Sequence, residues 1–165
     1  MKRMNKIINA LERVDPSTSQ NIMELVENMD ISEIIFTFNQ TTGDLFDLLI
    51  KYNNKYNIIN LEGYYTLFKN ALKINNRLPI DQFTMIILEY APEIYANDYD
   101  RFLNMNIPDT KVSVGNQFGI IRTDIFKSFW RQLNDTEKSK IKEKLIILTT
   151  MAHVYFYKTA LQYKM

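Results

Sequence analysis

Residues 135–162 read DTEKSKIKEKLIILTTMAHVYFYKTALQ, and the spacing of apolar side chains in this stretch decides the fold. Ile141, Leu145, Leu148, Ala152, Tyr155 and Thr159 recur at alternating steps of four and three, the period of one helical face. Ile146, Thr150, His153 and Tyr157 mark a second face on the same helix. The middle of the stretch is therefore apolar or aromatic nearly all round. A helix of that kind has to be covered on several sides, which places it at the centre of a bundle. At the standard rise it runs roughly 40 Å. Asn134, with Glu137 three residues on, supplies a capping box at its head.

Upstream, Phe126, Phe129, Trp130 and Leu133 form one stripe, which predicts a helix over 124–133 that buries Trp130 against the long one. Near the start, Met4, Ile7, Ile8, Leu11 and Val14 predict a helix over 2–14, stopped by Asp15-Pro16. Ser17 or Thr18 can cap a second helix running to Met29, and Asp30 with Glu33 forms another capping box for a short third helix to about Phe38. Asn39-Gln-Thr-Thr-Gly43 reads as a polar turn, after which Leu45, Phe46, Leu48, Leu49 and Tyr52 restart the apolar stripe. Helices over 61–74 and 79–90 follow, the latter opened by Pro79 and ended or kinked at Ala91-Pro92. One more short helix is expected over 97–106. The least helical region runs from Ile107 to Ile121, with Pro108, Gly115 and Gly119 among β-branched residues. Residues 111–121 there read as a small β-hairpin or an ordered loop. The expected fold is an all-α, single-domain multi-helix bundle over 1–165, with a long central C-terminal helix.

The composition agrees with one folded unit. The 165 residues are 46% hydrophobic and 24% charged, ordinary values for a globular domain and unlike those of a disordered chain. Lys and Arg total 20 against 19 Asp and Glu. With so little net charge, no general electrostatic pull acts on nucleic acid or anionic lipid. Cysteine is absent, which removes disulfides, thiol nucleophiles and Cys-based zinc sites and fits a reducing compartment. The apolar stretch from Leu145 to Tyr157 is shorter than a membrane span. The polar residues Asn5, Lys6, Asn9, Glu12 and Arg13 interrupt any signal-peptide core, so no membrane span and no secretion are expected.

Motifs that carry chemistry are scarce. His153 is the sole histidine, and its place in the middle of an apolar helix reads as a core imidazole rather than a catalytic base. The pairs Asp44 with Asp47 and Asp98 with Asp100 are too few for a metal site and read as acidic residues in the first turns of helices. Gly115 to Gly119 lacks the spacing of a phosphate loop. No catalytic residue, metal or cofactor is expected. Lys138, Lys140, Lys142 and Lys144, with Arg131 and Lys127 before them, could meet a phosphate backbone. Alternate positions on a helix do not share a face, however, and Glu137 and Glu143 lie among them.

The stretch Phe126-Lys-Ser-Phe129-Trp130-Arg-Gln-Leu133-Asn134-Asp135, with Lys138, Ile141, Lys144-Leu145 and Leu148 beyond it, resembles a C-terminal pattern of uncharacterised helical proteins of nucleocytoplasmic large DNA viruses. In that pattern a Trp-x-x-Leu helix turns through a polar step into a longer helix, first Lys-rich and then apolar. The resemblance covers the last quarter of the chain. It implies an accessory or virion-associated protein and carries over no catalytic residues.

Elimination leaves a non-enzymatic helical protein-interaction protein: a viral structural, scaffold or host-interaction component, cytoplasmic or virion-associated, with virion or host proteins as partners. Trp130, Lys138, Lys140, Lys142 and Lys144 are its candidate interaction residues. The alternative is a nucleic-acid-associated accessory protein using the Lys-rich start of the last helix. A death-regulator-like bundle with a groove for a partner helix is a third reading that size and helix count permit.

Overall fold

A computed structural model describes residues 2–56, 61–98, 110–114, 117–121 and 123–161. The chain is an all-α bundle built from α1 (Lys2–Glu12), α2 (Pro16–Asn28), α3 (Ile31–Tyr56), α4 (Leu61–Ile74), α5 (Leu78–Ile87), a 3-10 turn (Leu88–Tyr90) and α6 (Ala91–Tyr95). A hairpin of β1 (Thr110–Val114) and β2 (Gln117–Ile121) comes next, then α7 (Thr123–Gln132), α8 (Asp135–Phe156) and a closing π turn (Tyr157–Leu161). The hairpin is antiparallel, with Thr110 opposite Ile121 and Val114 opposite Gln117, and it lies against α4. Of the short helix expected over 97–106, residues 99–106 lie outside the described residues, as do Gly115 of the expected glycine loop and Asp100.

Helix α8 occupies the centre. It packs most extensively along α3 and also meets α2, α5 and α6. From Leu148 to Phe156 every side chain is buried except the half-buried Thr150. Ile141, Ala152 and Phe156 join one apolar cluster with Ile7 and Leu11 of α1, Leu49 and Tyr52 of α3, Leu88, Ile94, Phe129 and Trp130. Leu148, Met151, Val154 and Tyr155 join a second with Ile22 and Val26 of α2, Ile34, Ile35 and Phe38 of α3, and Ile80 of α5. The first of the two faces read from the sequence is thus divided between two layers of core, Ile141 and Ala152 in one and Leu148 and Tyr155 in the other.

A helix covered on all sides must satisfy its polar groups internally. The hydroxyls of Thr149, Thr150 and Thr159 donate to the carbonyls of Leu145, Ile146 and Tyr155, one turn back, at 2.7–2.8 Å. At the head of α8, Asn134 Oδ1 accepts from Glu137 N–H at 2.8 Å and Glu137 Oε1 accepts from Asn134 N–H at 2.9 Å, completing the expected capping box. Asp30 and Glu33 do the same for α3. Lys158 Nζ donates to the carbonyl of Val26 at 2.7 Å, placing a cation on the last turn of α2 where the helix dipole favours it.

Two expectations need correction. The N-cap of α2 is Asp15, with Pro16 in the first turn, rather than Ser17 or Thr18. Hydrogen bonds from the side chains of Thr18 and Ser17 hold its carboxyl below the usual range. The turn expected at 39–43 is absent, because α3 runs unbroken through it. The physical reason is phase. Ile34, Ile35, Phe38, Thr41, Leu45, Leu48, Leu49 and Tyr52 keep helical spacing straight across the polar run. Within that run Thr41 is itself buried and Thr42 Oγ1 returns its hydrogen to the Phe38 carbonyl at 2.8 Å. Asp44 and Asp47 consequently sit in the middle of a helix, not in a first turn.

The chain after α5 bends where proline was expected to act, giving the 3-10 turn before α6. Helix α6 stops at Asn97, whose φ of 61° lies in the left-handed region that asparagine tolerates among non-glycine residues. Asn97 N–H bonds the Ile94 carbonyl and Asp98 N–H the Glu93 carbonyl, the paired bonds of a Schellman stop.

Two substitutions test this packing. Gly43 has no strained backbone, and an added Cβ would meet Tyr65 Oη at an ordinary 3.9 Å. Gly43→Ala should therefore raise stability by about 1 kcal/mol, the helix-interior cost of glycine, read as an upward shift in melting temperature. Trp130 is 6% exposed beside the fully buried Phe129. Trp130→Ala should cost about 3–5 kcal/mol by denaturant titration.

Candidate functional site

Trp130 and the lysines of α8 separate into two groups. The ammonium groups of Lys138 and Lys142, one turn apart, lie 5.7 and 5.9 Å from the Trp130 ring centroid. Both are within reach of a cation–π attraction. Lys140 and Lys144 stand about 200° round the helix from these two, at 100° per residue. The structure therefore brings Trp130 together with Lys138 and Lys142 and leaves Lys140 and Lys144 on a different face. Phe126, the fourth member of the aromatic stripe, has its side chain outside the described residues.

His153 is 1% exposed on the inner face of α8. Its Nδ1 is 3.1 Å from the Tyr95 hydroxyl of α6, and the Tyr157 ring stacks on it at 5.2 Å between centroids. Nε2 has no hydrogen-bond partner among the described residues. Burial pushes the imidazole down from 6.5 to about 4, so the ring is neutral at pH 7. Burial also pushes the Tyr95 hydroxyl well above its ordinary value, with Thr150 opposing the shift. The pair can neither take up nor release a proton near neutrality. Close by, Glu93 of α6 is 5% exposed, with Oε1 3.4 Å from the Arg13 guanidinium and Oε2 without a partner among the described residues. It ties α1 to α6.

Asp44 and Asp47 face Tyr65 of α4. Burial first, and then these two carboxylates, raise its hydroxyl above the usual value. Its ring stacks on Phe46 at 5.0 Å and lies under Lys69 Nζ at 4.1 Å. Among the described residues no three His, Asp or Glu side chains cluster as metal ligands, and no helix is long and apolar enough to cross a membrane.

A concavity among the described residues was not read from the sequence. A groove of about 780 Å³ runs between the first turns of α3 and the end of α4, bounded by Ile35, Phe36 and Asn39 on one side and Leu72, Asn76 and Arg77 on the other. That volume is within the roughly 300–1,000 Å³ typical of ligand sites. Phe36 stands at its edge, 67% exposed. Asn39 Nδ2 donates to the Asn76 carbonyl at 3.0 Å, fixing α3 to the turn that follows α4. Arg77 reaches over the Tyr155 ring at 6.0 Å. The Tyr155 hydroxyl donates to Asp81 at 2.6 Å, and burial with that bond pushes it up to about 12. One signal was available: Phe36 falls out of phase with Ile34, Ile35 and Phe38 and sits with Ser32 and Gln40 on the polar face of α3.

The buried imidazole gives the fold a specific acid sensitivity. The unfolded chain binds a proton at His153 below about pH 6.5, whereas the folded chain resists until about pH 4. Stability from this group is therefore complete above pH 6.5 and lost progressively as pH falls to 4, by about 3 kcal/mol in all. Urea titrations of wild type and His153→Phe across this window should show a flatter pH dependence in the variant, whatever its stability at pH 7. Parallel curves would refute the assignment.

No family model and no solved structure matches the chain. A protein of Acanthamoeba polyphaga mimivirus, the uncharacterized protein R465, is 44% identical to it over 164 residues, covering 98% of this chain and 91% of the relative. Because that identity extends along nearly the whole of both sequences, α1 through α8 included, the chain belongs to the same family as this giant-virus protein.

Proposed function

We propose that the protein is a non-enzymatic helical interaction protein of a giant virus, a structural, scaffold or host-interaction component working through contacts with virion or host proteins. The observation that carries this reading is Phe36: a large aromatic, two-thirds exposed, at the edge of a groove rather than alone on a flat surface. Aromatic side chains so placed are typical anchors of protein contacts. The viral setting is supported by the mimivirus relative and by the Trp-x-x-Leu to Lys-rich helix pattern of the last quarter of the chain. The reading places the protein in the cytoplasm of an infected cell or in the particle.

The nucleic-acid alternative would need the four lysines of α8 to act as one basic track. Two of them lie beside the Trp130 ring and two stand on another face, which favours the protein-contact reading over a single basic track.

Affinity capture from the native source, with and without nuclease, tests the proposal. A defined protein partner should be recovered in both conditions, and changing Lys138, Lys140, Lys142 and Lys144 to Gln should leave its recovery unchanged. Recovery of nucleic acid in place of protein, lost in the quadruple variant and falling steeply with salt, would overturn the reading.

A further inference from the structure

We propose that α6 is a latch on the central helix that acid releases: the contact between the Tyr95 hydroxyl and a neutral His153 holds it shut, and it opens when that imidazole takes up a proton. The release is local and precedes loss of the bundle.

The closed contact has no place for a charged ring. An imidazolium carries two N–H donors. Tyr95 Oη, 3.1 Å from Nδ1, can accept from one of them, whereas Nε2 faces no acceptor among the described residues. The ring is 1% exposed, so the second donor and the charge would both be stranded away from water. The ionisable groups on the surrounding elements do not relieve it. Glu93, on α6 itself, is tied to Arg13 at the end of α1. Glu12 of α1 acts on Tyr157 of the π turn, and Lys158 is spent on the Val26 carbonyl. Asp44 and Asp47 of α3 face Tyr65 of α4. Glu89 of the 3-10 turn and Asp98 beyond α6 complete the set. Burial alone lowers the proton affinity of the ring, so none of these groups offsets a charge there.

Parting α6 from α8 wets the imidazole at the smallest loss of packing. Helix α6 has only five residues, between the 3-10 turn and Asn97, whose positive φ ends it. Its second polar tie, Glu93 to Arg13, spans 3.4 Å and reaches a side chain that is 57% exposed, so it contributes little. Helix α3, by contrast, packs most extensively along α8 and joins both core clusters. Proteins open first in such small, weakly tied units. Opening bares Ala91 and Ile94, both fully buried when the latch is shut, so acid turns part of the core into an apolar surface.

The test is hydrogen exchange of the full-length protein at pH 7 and pH 5, with rates corrected for their intrinsic pH dependence. The amides of Ala96, Asn97 and Asp98 bond the carbonyls of Pro92, Ile94 and Glu93. They should exchange about twentyfold faster at pH 5, the ratio for an opening that returns a ring held down to about 4 to its ordinary 6.5. Amides of α3 should stay slower than these at both pH values. Exchange of α3 and α6 together at one rate would mean that the whole bundle opens, and would overturn the proposal. His153→Phe should abolish the acceleration and Glu93→Gln should preserve it, while the reverse pattern would move the switch to the carboxylate. Tyr95→Phe should loosen α6 at pH 7 yet keep the acceleration, and α6 as well protected as in wild type would overturn the role of the contact. One measurement needs no variant, because the chain has a single histidine. Its NMR titration should follow the opening of α6, with a midpoint well below 6.5, and a midpoint near 6.5 while α6 stays protected would also overturn the proposal.

Discussion

The rest of the molecule is organised by the need to cover α8. A segment in which Leu148, Thr149, Met151, Ala152, His153, Val154, Tyr155 and Phe156 are all buried, with only Thr150 between them half-buried, cannot lie on a surface. Several helices must share the task, because each offers a single apolar stripe. Helices α2, α3 and α5 take the side of Val154 and Tyr155, while α1, α6, α7 and the second half of α3 take the side of Ala152 and Phe156. Helix α3 is long because it serves both layers. Ile34, Ile35 and Phe38 belong to one cluster, Leu49 and Tyr52 to the other, and the stripe must continue through Thr41 to join them.

Enclosure also dictates the polar chemistry of the interior. Threonines on α8 return their hydrogens to the helix itself, and the hydroxyl of Tyr155 extends to Asp81. His153 is an exception on α8, since one ring nitrogen meets Tyr95 and the other meets nothing among the described residues. A buried group left partly unsatisfied costs stability and is held in place only by the packing around it. Here that packing is close, with Tyr157 stacked on the ring at the point where the helix widens into its π turn. A catalytic base needs access to substrate and a proton affinity near the working pH. His153 has neither.

Features set by neighbours in sequence were legible before the fold was known. Both capping boxes need residues only three apart, and both form. The all-round apolar run of α8 announced a central helix, and Phe129, Trp130 and Leu133 announced the buried face of α7. The reading failed where composition and phase disagreed. Asn39 to Gly43 has the residues of a turn, but a glycine, two threonines and two amides can all be accommodated in a helix whose flanking stripes stay in register. Tertiary cover decided the outcome, since α8 rewards every turn of α3 that reaches it. The groove was illegible for a different reason. Phe36 and Arg77 are 41 positions apart, and only the pairing of α3 with α4 brings them to one concavity.

The same long-range assembly separates the two surface features that could carry function. At the head of α8, charge and aromatic are adjacent in sequence, yet packing closes the Trp130 ring into the core and draws Lys138 and Lys142 over its edge. Those cations are partly engaged within the chain, so a phosphate backbone would have to compete for them. At the groove the arrangement is reversed. Tyr155, whose hydroxyl lies between Arg77 and Asp81, is buried and belongs to α8, whereas Phe36, the aromatic beside the open space, is exposed. Phe36 is presented outward there, on a helix held by the same core. The walls of the groove come from α3 and the end of α4, so its shape depends on the same packing by which α3 covers the central helix.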